Sequence, residues 1–174
     1  MAALLYYLIS SLPDISADGD MPMTYDEFLV MCEGNVSGDK FEILKNLSLD
    51  SEEGPAVRKW ADFYKNLKKE LNSQRSALQG RSYTAEYDKY IENTQIAQAA
   101  IQAKNPLEAE KILLESEFKV IDDIIGANIF NDVYLFGYAI KLKLLERQSC
   151  FVQSKGKAEF KHLFDTVQAK VYNL

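Results

Sequence analysis

The stretch from Val133 to Gln148, VYLFGYAIKLKLLERQ, is the most informative segment of this chain of 174 residues. Wound as an α-helix, it carries apolar side chains around most of its circumference instead of along one stripe. These residues are Val133, Tyr134, Leu135, Phe136, Tyr138, Ile140, Leu142, Leu144 and Leu145. A helix that is apolar on all sides is stable only when other elements cover it. The stretch therefore predicts a buried central helix, which Asn131 or Asp132 can cap.

The segments on either side of this stretch also have helical patterns. Asn105 is a good N-cap, Pro106 suits the first helical position, and Glu108 follows three residues after the cap. We expect the helix that they begin to end at Gly126. Ser154 can begin a final helix, and an inner stripe is expected along it at Phe160, Leu163, Phe164, Val167 and Val171.

Further upstream, two long amphipathic patterns are separated by Gly80. The first begins at Pro55, and its apolar residues recur at spacings of three and four through Val57, Trp60, Ala61, Tyr64, Leu67, Leu71 and Leu78. The second extends from about Thr84 to Lys104. A short glycine-containing turn between two such helices predicts an antiparallel helical hairpin.

The first third of the chain is less regular. Residues 4–12 are apolar and too short for periodicity to distinguish a helix from a strand. Thr24 and Glu27 have the spacing of a capping box, and Ser37 can cap a further short helix. Residues 13–23 and 48–54 are polar, turn-rich loops.

Together these patterns predict an all-α fold, an antiparallel bundle of about six to eight helices. We expect a single helical domain over residues 1–174. The loop at residues 48–54 is the best candidate for a hinge, and it leaves open a small N-terminal lobe of residues 1–48 beside a helical body of residues 55–174. With only four prolines and eight glycines, the chain is a poor candidate for an all-β fold, which needs many turns.

Composition argues against several functional classes. The net charge is −6, and lysines and arginines are scattered among acidic residues, so nucleic-acid binding is not expected. Residues 1–12 are apolar but lack the basic start of a signal peptide and the length of a membrane span. Cys32 and Cys150 form no CxxC pair, and two lone cysteines without an export signal suggest a reducing compartment. We therefore expect a cytoplasmic protein without a membrane span.

The chain has few residues suited to catalysis or metal binding. His162 is the single histidine, and its position suggests a helix-surface residue. Paired carboxylates such as Asp122 and Asp123 diverge by about 100° on a helix, so they fit a solvated face better than a catalytic pair. The fragment at residues 14–20 resembles a calcium loop but lacks the glutamate at the twelfth position. We expect no catalytic residue, no cofactor and no metal.

Two groups of residues are candidate contacts for a protein partner. Lys141, Lys143 and Arg147 lie in the last turns of the central helix, where they either complement the helix dipole or form a docking patch for an acidic partner. Near the N-terminus, an apolar and aromatic group is either core or a partner surface, because interfaces are rich in aromatic residues. This group comprises Tyr6, Tyr7, Leu8, Leu12 and Pro13.

Four blocks of the chain resemble a bacterial protein family encoded beside V-type ATPase subunits. They are Tyr6–Pro13 (YYLISSLP), Asn105–Lys111, Phe130–Arg147 and Gly156–Phe160. That family is similar in helical character to the C (or d) subunit of V/A-type rotary ATPases, a helical adaptor between the central stalk and the membrane ring. The resemblance implies a helical protein that works through protein contacts and carries no catalytic residue.

The resulting functional hypothesis is a non-catalytic structural or assembly component associated with a bacterial V-type ATPase. Such a protein would be peripheral to the membrane through the ATPase complex. The alternatives are a general helical interaction module or regulator unrelated to the ATPase, and an enzyme with a site built from dispersed Tyr, Asp, Glu and Lys residues.

Overall fold

The computed structural model describes residues 2–150, 161–166 and 168, and all the regular secondary structure in them is helical. The helices are α1 (Ala2–Ser11), α2 (Tyr25–Cys32), α3 (Gly38–Lys45), α4 (Val57–Leu78), α5 (Ile91–Gln102), α6 (Pro106–Ile125) and α7 (Asp132–Ser149). Residues 161–166 are also helical. The predicted all-α bundle is confirmed, and the apolar N-terminal segment is a helix.

Helix α7 is the centre of the bundle. Ten of its eighteen residues are buried, including Leu135, Phe136 and the unbroken run from Tyr138 to Leu142. The Ile125 side chain of α6 packs directly on Gly137 of α7, where an added Cβ would lie 2.7 Å from Ile125 Cδ1. Because that distance is too short for two carbon atoms, the packing of α6 on α7 requires a glycine at this position.

The helix starts follow the predicted capping residues closely. The Thr24 hydroxyl accepts a hydrogen bond from the Glu27 backbone N–H, and the Glu27 carboxylate accepts one from the Thr24 N–H, which completes a capping box. Asn105 caps α6 ahead of Pro106, and the Asn131 side chain accepts from two backbone N–H groups of α7. Ser37 occupies the cap of α3 without a side-chain hydrogen bond.

The predicted antiparallel hairpin after Gly80 is wrong. Residues 81–90 are not helical, and α5 begins only at Ile91. The Lys69 Nζ donates to the Glu86 carbonyl at 3.0 Å, and the Tyr87 hydroxyl donates to Glu70 at 2.7 Å, so this segment returns along α4. The ten residues 81–90 can span about 33 Å when extended. This is enough to return along α4 from Leu78 to Phe63, a distance of roughly 22 Å. Asn93 lines a cavity together with Phe63, and Ala97 and Ala100 pack with Leu67 and Leu71, so α5 starts beside the first half of α4 and runs in the same direction.

The N-terminal helices pack directly on α7. The Tyr138 hydroxyl donates to the Pro13 carbonyl at 3.0 Å, and the rings of Phe28 and Tyr138 stack with centroids 5.7 Å apart. Leu8, Tyr25, Phe28 and Leu44 belong to the same apolar cluster as Trp60, Phe118 and Leu135. Residues of both the segment 1–48 and the segment 55–174 belong to this one cluster. The division of the chain into an N-terminal lobe and a helical body stays a prediction.

The predicted final helix is only partly within the described residues. Ser154, Phe160, Val167 and Val171 lie outside them or have no described side chain. Leu163 and Phe164 were expected on its inner stripe, but they are 61% and 57% exposed. For these two residues the prediction of burial is wrong, because helical periodicity identifies an apolar face without identifying what covers it.

Among the described residues, no helix combines the length and the apolar character needed to cross a membrane.

Three buried ionisable side chains, Cys32, Tyr25 and Tyr138, make the stability of the bundle depend on pH. Burial raises the pKa of the Cys32 thiol to about 12, and it raises the pKa of Tyr138 to about 12 as well. Burial, together with the nearby Cys32 and Glu146, raises the pKa of Tyr25, whose hydroxyl donates to the Leu44 carbonyl at 2.8 Å. The folded chain thus keeps protons that the unfolded chain loses above about pH 9.

We predict that replacement of Gly137 by Ala destabilises the fold. The added methyl group collides with Ile125 and Ile121, and overpacking of this kind costs about 1–3 kcal/mol of unfolding free energy. Gly38→Ala in α3 is the matched control, because nothing lies within 4 Å of its new Cβ. Urea denaturation measures both; equal stability of the two variants would contradict the close α6–α7 contact.

We also predict a loss of stability at alkaline pH. All three pKa values are raised in the folded state, so the stabilisation is complete below about pH 9 and declines as pH rises towards 12. The limiting slope is about 1.4 kcal/mol per pH unit for each group. Denaturation at pH 8, 9, 10 and 11 measures it, and Tyr25→Phe should be less stable at pH 8 but lose stability less steeply above pH 10. If Tyr25→Phe leaves the pH dependence of the unfolding free energy unchanged, Tyr25 does not contribute to the alkaline loss of stability.

Candidate protein-binding surface

An exposed aromatic cluster lies where α1 meets the loop between α6 and α7. We call Tyr6, Tyr7, Ile129 and Phe130 the aromatic patch. The Tyr6 ring contacts the Phe130 ring with centroids 4.8 Å apart and the Tyr7 ring at 5.8 Å. The four side chains are between 48% and 70% exposed. Because Leu8 and Ile9 on the same helix are buried, α1 attaches to the bundle by one face and presents its tyrosines on another.

Hydrogen bonds fix the loop that carries Ile129 and Phe130. Helix α6 ends at Gly126 with a φ of 51°, and the Asn128 backbone and side chain both donate to the Ile125 carbonyl. The Asn131 amide donates to Asn128 Oδ1 at 2.9 Å while its own oxygen caps α7. With both ends of the loop held in this way, Phe130 is positioned against Tyr6 in advance of any binding event.

The other three N-terminal candidates have structural roles, and Leu8 is buried in the main core. Leu12 is half-buried and packs against the main core, in agreement with the alternative that it is a core residue. Pro13 is exposed, and its carbonyl accepts the hydrogen bond from Tyr138. Of the five N-terminal candidates, only Tyr6 and Tyr7 therefore present aromatic rings to solvent.

The predicted cationic docking patch is not present as one exposed surface. Lys141 is 7% exposed and pairs with Asp122 at 2.6 Å, while its Nζ lies over the Phe118 ring. Lys143 points to a different side, since two helical residues are separated by about 200°. Its Nζ lies 3.6 Å from the centroid of the Tyr25 ring and pairs with Glu146. The two cations thus serve internal packing.

Arg147 joins α7 to α6 through two carboxylates. Its guanidinium forms a two-point contact with Glu117, at 2.9 and 2.5 Å, and its Nε donates to Glu110 at 2.7 Å. Glu117 is 1% exposed. Burial raises the pKa of the Glu117 carboxyl, and the hydrogen bonds and charge of Arg147 oppose that shift. The planar fork of an arginine suits this geometry, which a lysine cannot reproduce.

The residues considered for chemistry are dispersed in the structure. His162 is exposed, and Asp18 of the calcium-like fragment pairs with Lys111 at 3.1 Å. Asp122 pairs with Lys141, while its neighbour Asp123 lies on a different face of α6. In the ranges that the structure describes, no group of three or more His, Cys, Asp or Glu residues is placed to hold a metal ion.

Ile129 and Phe130 are the patch residues that sequence reasoning missed. The available signal was an apolar pair inside a loop, between a helix-ending glycine and the Asn131 cap. Such a pair cannot belong to the stripe of either helix, so it must be covered by another element or remain exposed. Its contact with Tyr6 depends on the tertiary fold and could not be read from the pattern.

Comparison with known proteins gives no match to a protein family, to a curated protein or to a solved structure.

We predict that Arg147 stabilises the fold. Arg147→Met leaves the Glu117 carboxyl buried without its partner, and breaking a buried ion pair on one side costs about 3–5 kcal/mol of unfolding free energy. The double variant Arg147→Met with Glu117→Met should recover most of this loss, because it removes both charges together.

Lys45→Met is the matched control for this prediction, because its ion pair with Glu42 is exposed to solvent. Loss of an exposed pair costs less than about 1 kcal/mol. Thermal or urea denaturation measures all three variants. An effect of Arg147→Met no larger than that of Lys45→Met would show that the α6–α7 pair contributes no more than a surface contact.

Proposed function

We propose that this chain is a non-catalytic structural or assembly component that binds another protein through the aromatic patch. The observation that carries the proposal is the contact between Tyr6 and Phe130, two half-exposed rings held together by separate parts of the chain. Aromatic residues are enriched at protein interfaces and supply much of the binding energy there. Large apolar side chains clustered at the surface are unfavourable in water unless a partner covers them.

A V-type ATPase subunit is the proposed partner. The support is the resemblance of the sequence to the family encoded beside such subunits, and the place of its blocks in the fold. The block Tyr6–Pro13 and the block Phe130–Arg147 are far apart in sequence. They meet at the patch through the Tyr6–Phe130 ring contact and at the Tyr138–Pro13 hydrogen bond beside it. A surface built from both blocks is where a shared partner would bind.

The mechanism proposed is that of a rigid adaptor. Helix α1 is held to the core by Leu8 and Ile9, and the loop after α6 is held by Asn128 and Asn131, so little ordering is needed on binding. Preorganisation of this kind favours affinity because fewer side chains lose freedom when the complex forms. The chain would act on the cytoplasmic side of the membrane, within the ATPase assembly.

We predict that exposed rings of the patch are required for binding to V-type ATPase subunits of the same host. Tyr7→Ser and Phe130→Ser should each weaken binding by about thirtyfold, the effect of removing an interface residue worth about 2 kcal/mol. The full chain, immobilised and titrated with purified subunits, provides the measurement. Val30→Ser is the matched control, since Val30 is 72% exposed on α2 outside the patch.

The possible outcomes separate the two parts of the proposal. Binding that survives both patch substitutions would exclude the patch as the docking surface. If no ATPase subunit binds, and deletion of the protein leaves ATPase assembly and ion pumping unchanged, the ATPase association is wrong. If a different purified protein then binds through the patch, the chain is a general interaction module.

A further inference from the structure

Three charged side chains meet between α6 and α7, and their charges do not balance. Arg147 of α7 makes a two-point contact with Glu117 and donates through its Nε to Glu110, so one guanidinium serves two carboxylates of α6. We call these three residues the charged cluster. One positive and two negative charges give it a net charge of −1 when all three side chains are ionised. None of its residues belongs to the aromatic patch, so its role is separate from the proposed function.

Burial makes this excess charge costly. Glu117 is 1% exposed, and the Glu110 side chain is 12% exposed. Burial disfavours the charged form of a carboxyl group, and a second carboxylate in the same site disfavours it further. In agreement, burial raises the pKa of the Glu117 carboxyl, and the hydrogen bonds and charge of Arg147 only partly offset this shift, to which the neighbouring Glu110 adds.

Arg147 is the source of positive charge for both carboxylates. Among the residues that the structure describes, no second cation lies within ion-pair distance of Glu110 or Glu117. The preceding cation of α7, Lys143, pairs with Glu146 instead. The Arg147 side chain is 22% exposed, so protons from solvent can reach the edge of the charged cluster.

The groups that α4 and α5 bring towards α6 do not supply the missing positive charge. From α4, Tyr64 faces the guanidinium, and a tyrosine is uncharged at neutral and acidic pH. Lys68 lies over the same ring, but it pairs with Asp50 at 2.7 Å. The sequence of α5 contains one charged residue, Glu92, which is itself acidic and lines a cavity with Asp123. The charge of the cluster is therefore set by its own three members.

We propose that the charged cluster is a proton-binding site, in which Glu117 takes up one proton from solvent as the pH falls from neutral to mildly acidic values. The proton changes the net charge of the cluster from −1 to zero, because Glu110 stays ionised and balances Arg147. The neutral Glu117 carboxyl then needs no ionic partner. Proton binding removes the buried excess charge and so stabilises the packing of α6 on α7.

The stability of the chain should follow the uptake of this proton. The pKa of Glu117 is raised in the folded chain above its ordinary value of 4.5, so the folded state binds the proton at a higher pH than the unfolded state does. Stability therefore increases as the pH falls through the folded-state pKa, and the gain is complete once the unfolded chain binds the proton as well. The expected interval lies between neutral pH and the ordinary value.

Urea denaturation of the full chain at pH 7 and pH 5 tests the proposal, with Glu110→Gln as the variant. This substitution removes the second carboxylate, keeps an oxygen that can accept from Arg147, and leaves Arg147 and Glu117 as a neutral pair. Between pH 7 and pH 5 the urea midpoint of the parent chain should rise relative to that of Glu110→Gln, because only the parent takes up the proton. Glu115→Gln, on the exposed side of α6, is the matched control and should follow the parent chain. The same pH dependence in the parent and in Glu110→Gln would overturn the proposal.

An NMR titration of the Glu117 side-chain carboxyl carbon in the full chain gives a direct second readout. The resonance that disappears in Glu117→Gln assigns it. Its midpoint should lie at a higher pH than the average glutamate midpoint of the chain unfolded in urea, and it should move to lower pH in Glu110→Gln. If Glu110→Gln does not fold, the midpoint in the parent chain decides. A midpoint at or below the value in the unfolded chain would show that the charged cluster binds no proton in this interval.

Discussion

The need to cover α7 on every side is the constraint on which the rest of this fold depends. A helix with buried residues around its circumference cannot lie at a surface, so its neighbours must enclose it. Helix α6 covers one side, and the Ile125 and Ile121 side chains of α6 occupy the space that a side chain at Gly137 would need. The N-terminal helices cover another side through Phe28, Tyr25 and Leu8. Two charged side chains are buried around α7, and each has an ion-pair partner. Lys141 pairs with Asp122, and Glu117 pairs with Arg147.

Local signals in the sequence were sufficient wherever a single helix end determines the structure. Thr24 with Glu27, Asn105 with Pro106, and Asn131 each satisfy backbone donors within a few residues, so their roles do not depend on the tertiary fold. The burial of α7 was predictable for the same reason, because its composition excludes any solvent-exposed face. The all-α class followed from these elements together.

Predictions that depended on contacts between distant residues succeeded less often. Residues 81–90 have a pattern compatible with a helix, but Lys69 and Glu70 bind this segment in an extended conformation. Lys141, Lys143 and Arg147 are close in sequence, yet Lys141 and Arg147 pair with carboxylates of α6, whereas Lys143 lies over the Tyr25 ring of α2. Tyr6 and Tyr7 are exposed and not core residues, their role as a partner surface stays a prediction, and Phe130 joins them only because the fold brings the loop after α6 to α1.

The hydrogen bond from Tyr138 to Pro13 spans 125 residues of chain, and this separation has a consequence for biosynthesis. Helices α1 to α3 bury their apolar faces against a helix that the ribosome makes last among the seven. At about 5–20 residues per second, the nascent N-terminal third must wait roughly ten seconds for α7 to emerge. During that interval its apolar residues can contact one another and α4, but the surface that α7 contributes to the cluster is missing. The packing of the N-terminal helices can therefore be completed only after α7 has been translated, although these helices come first in the sequence.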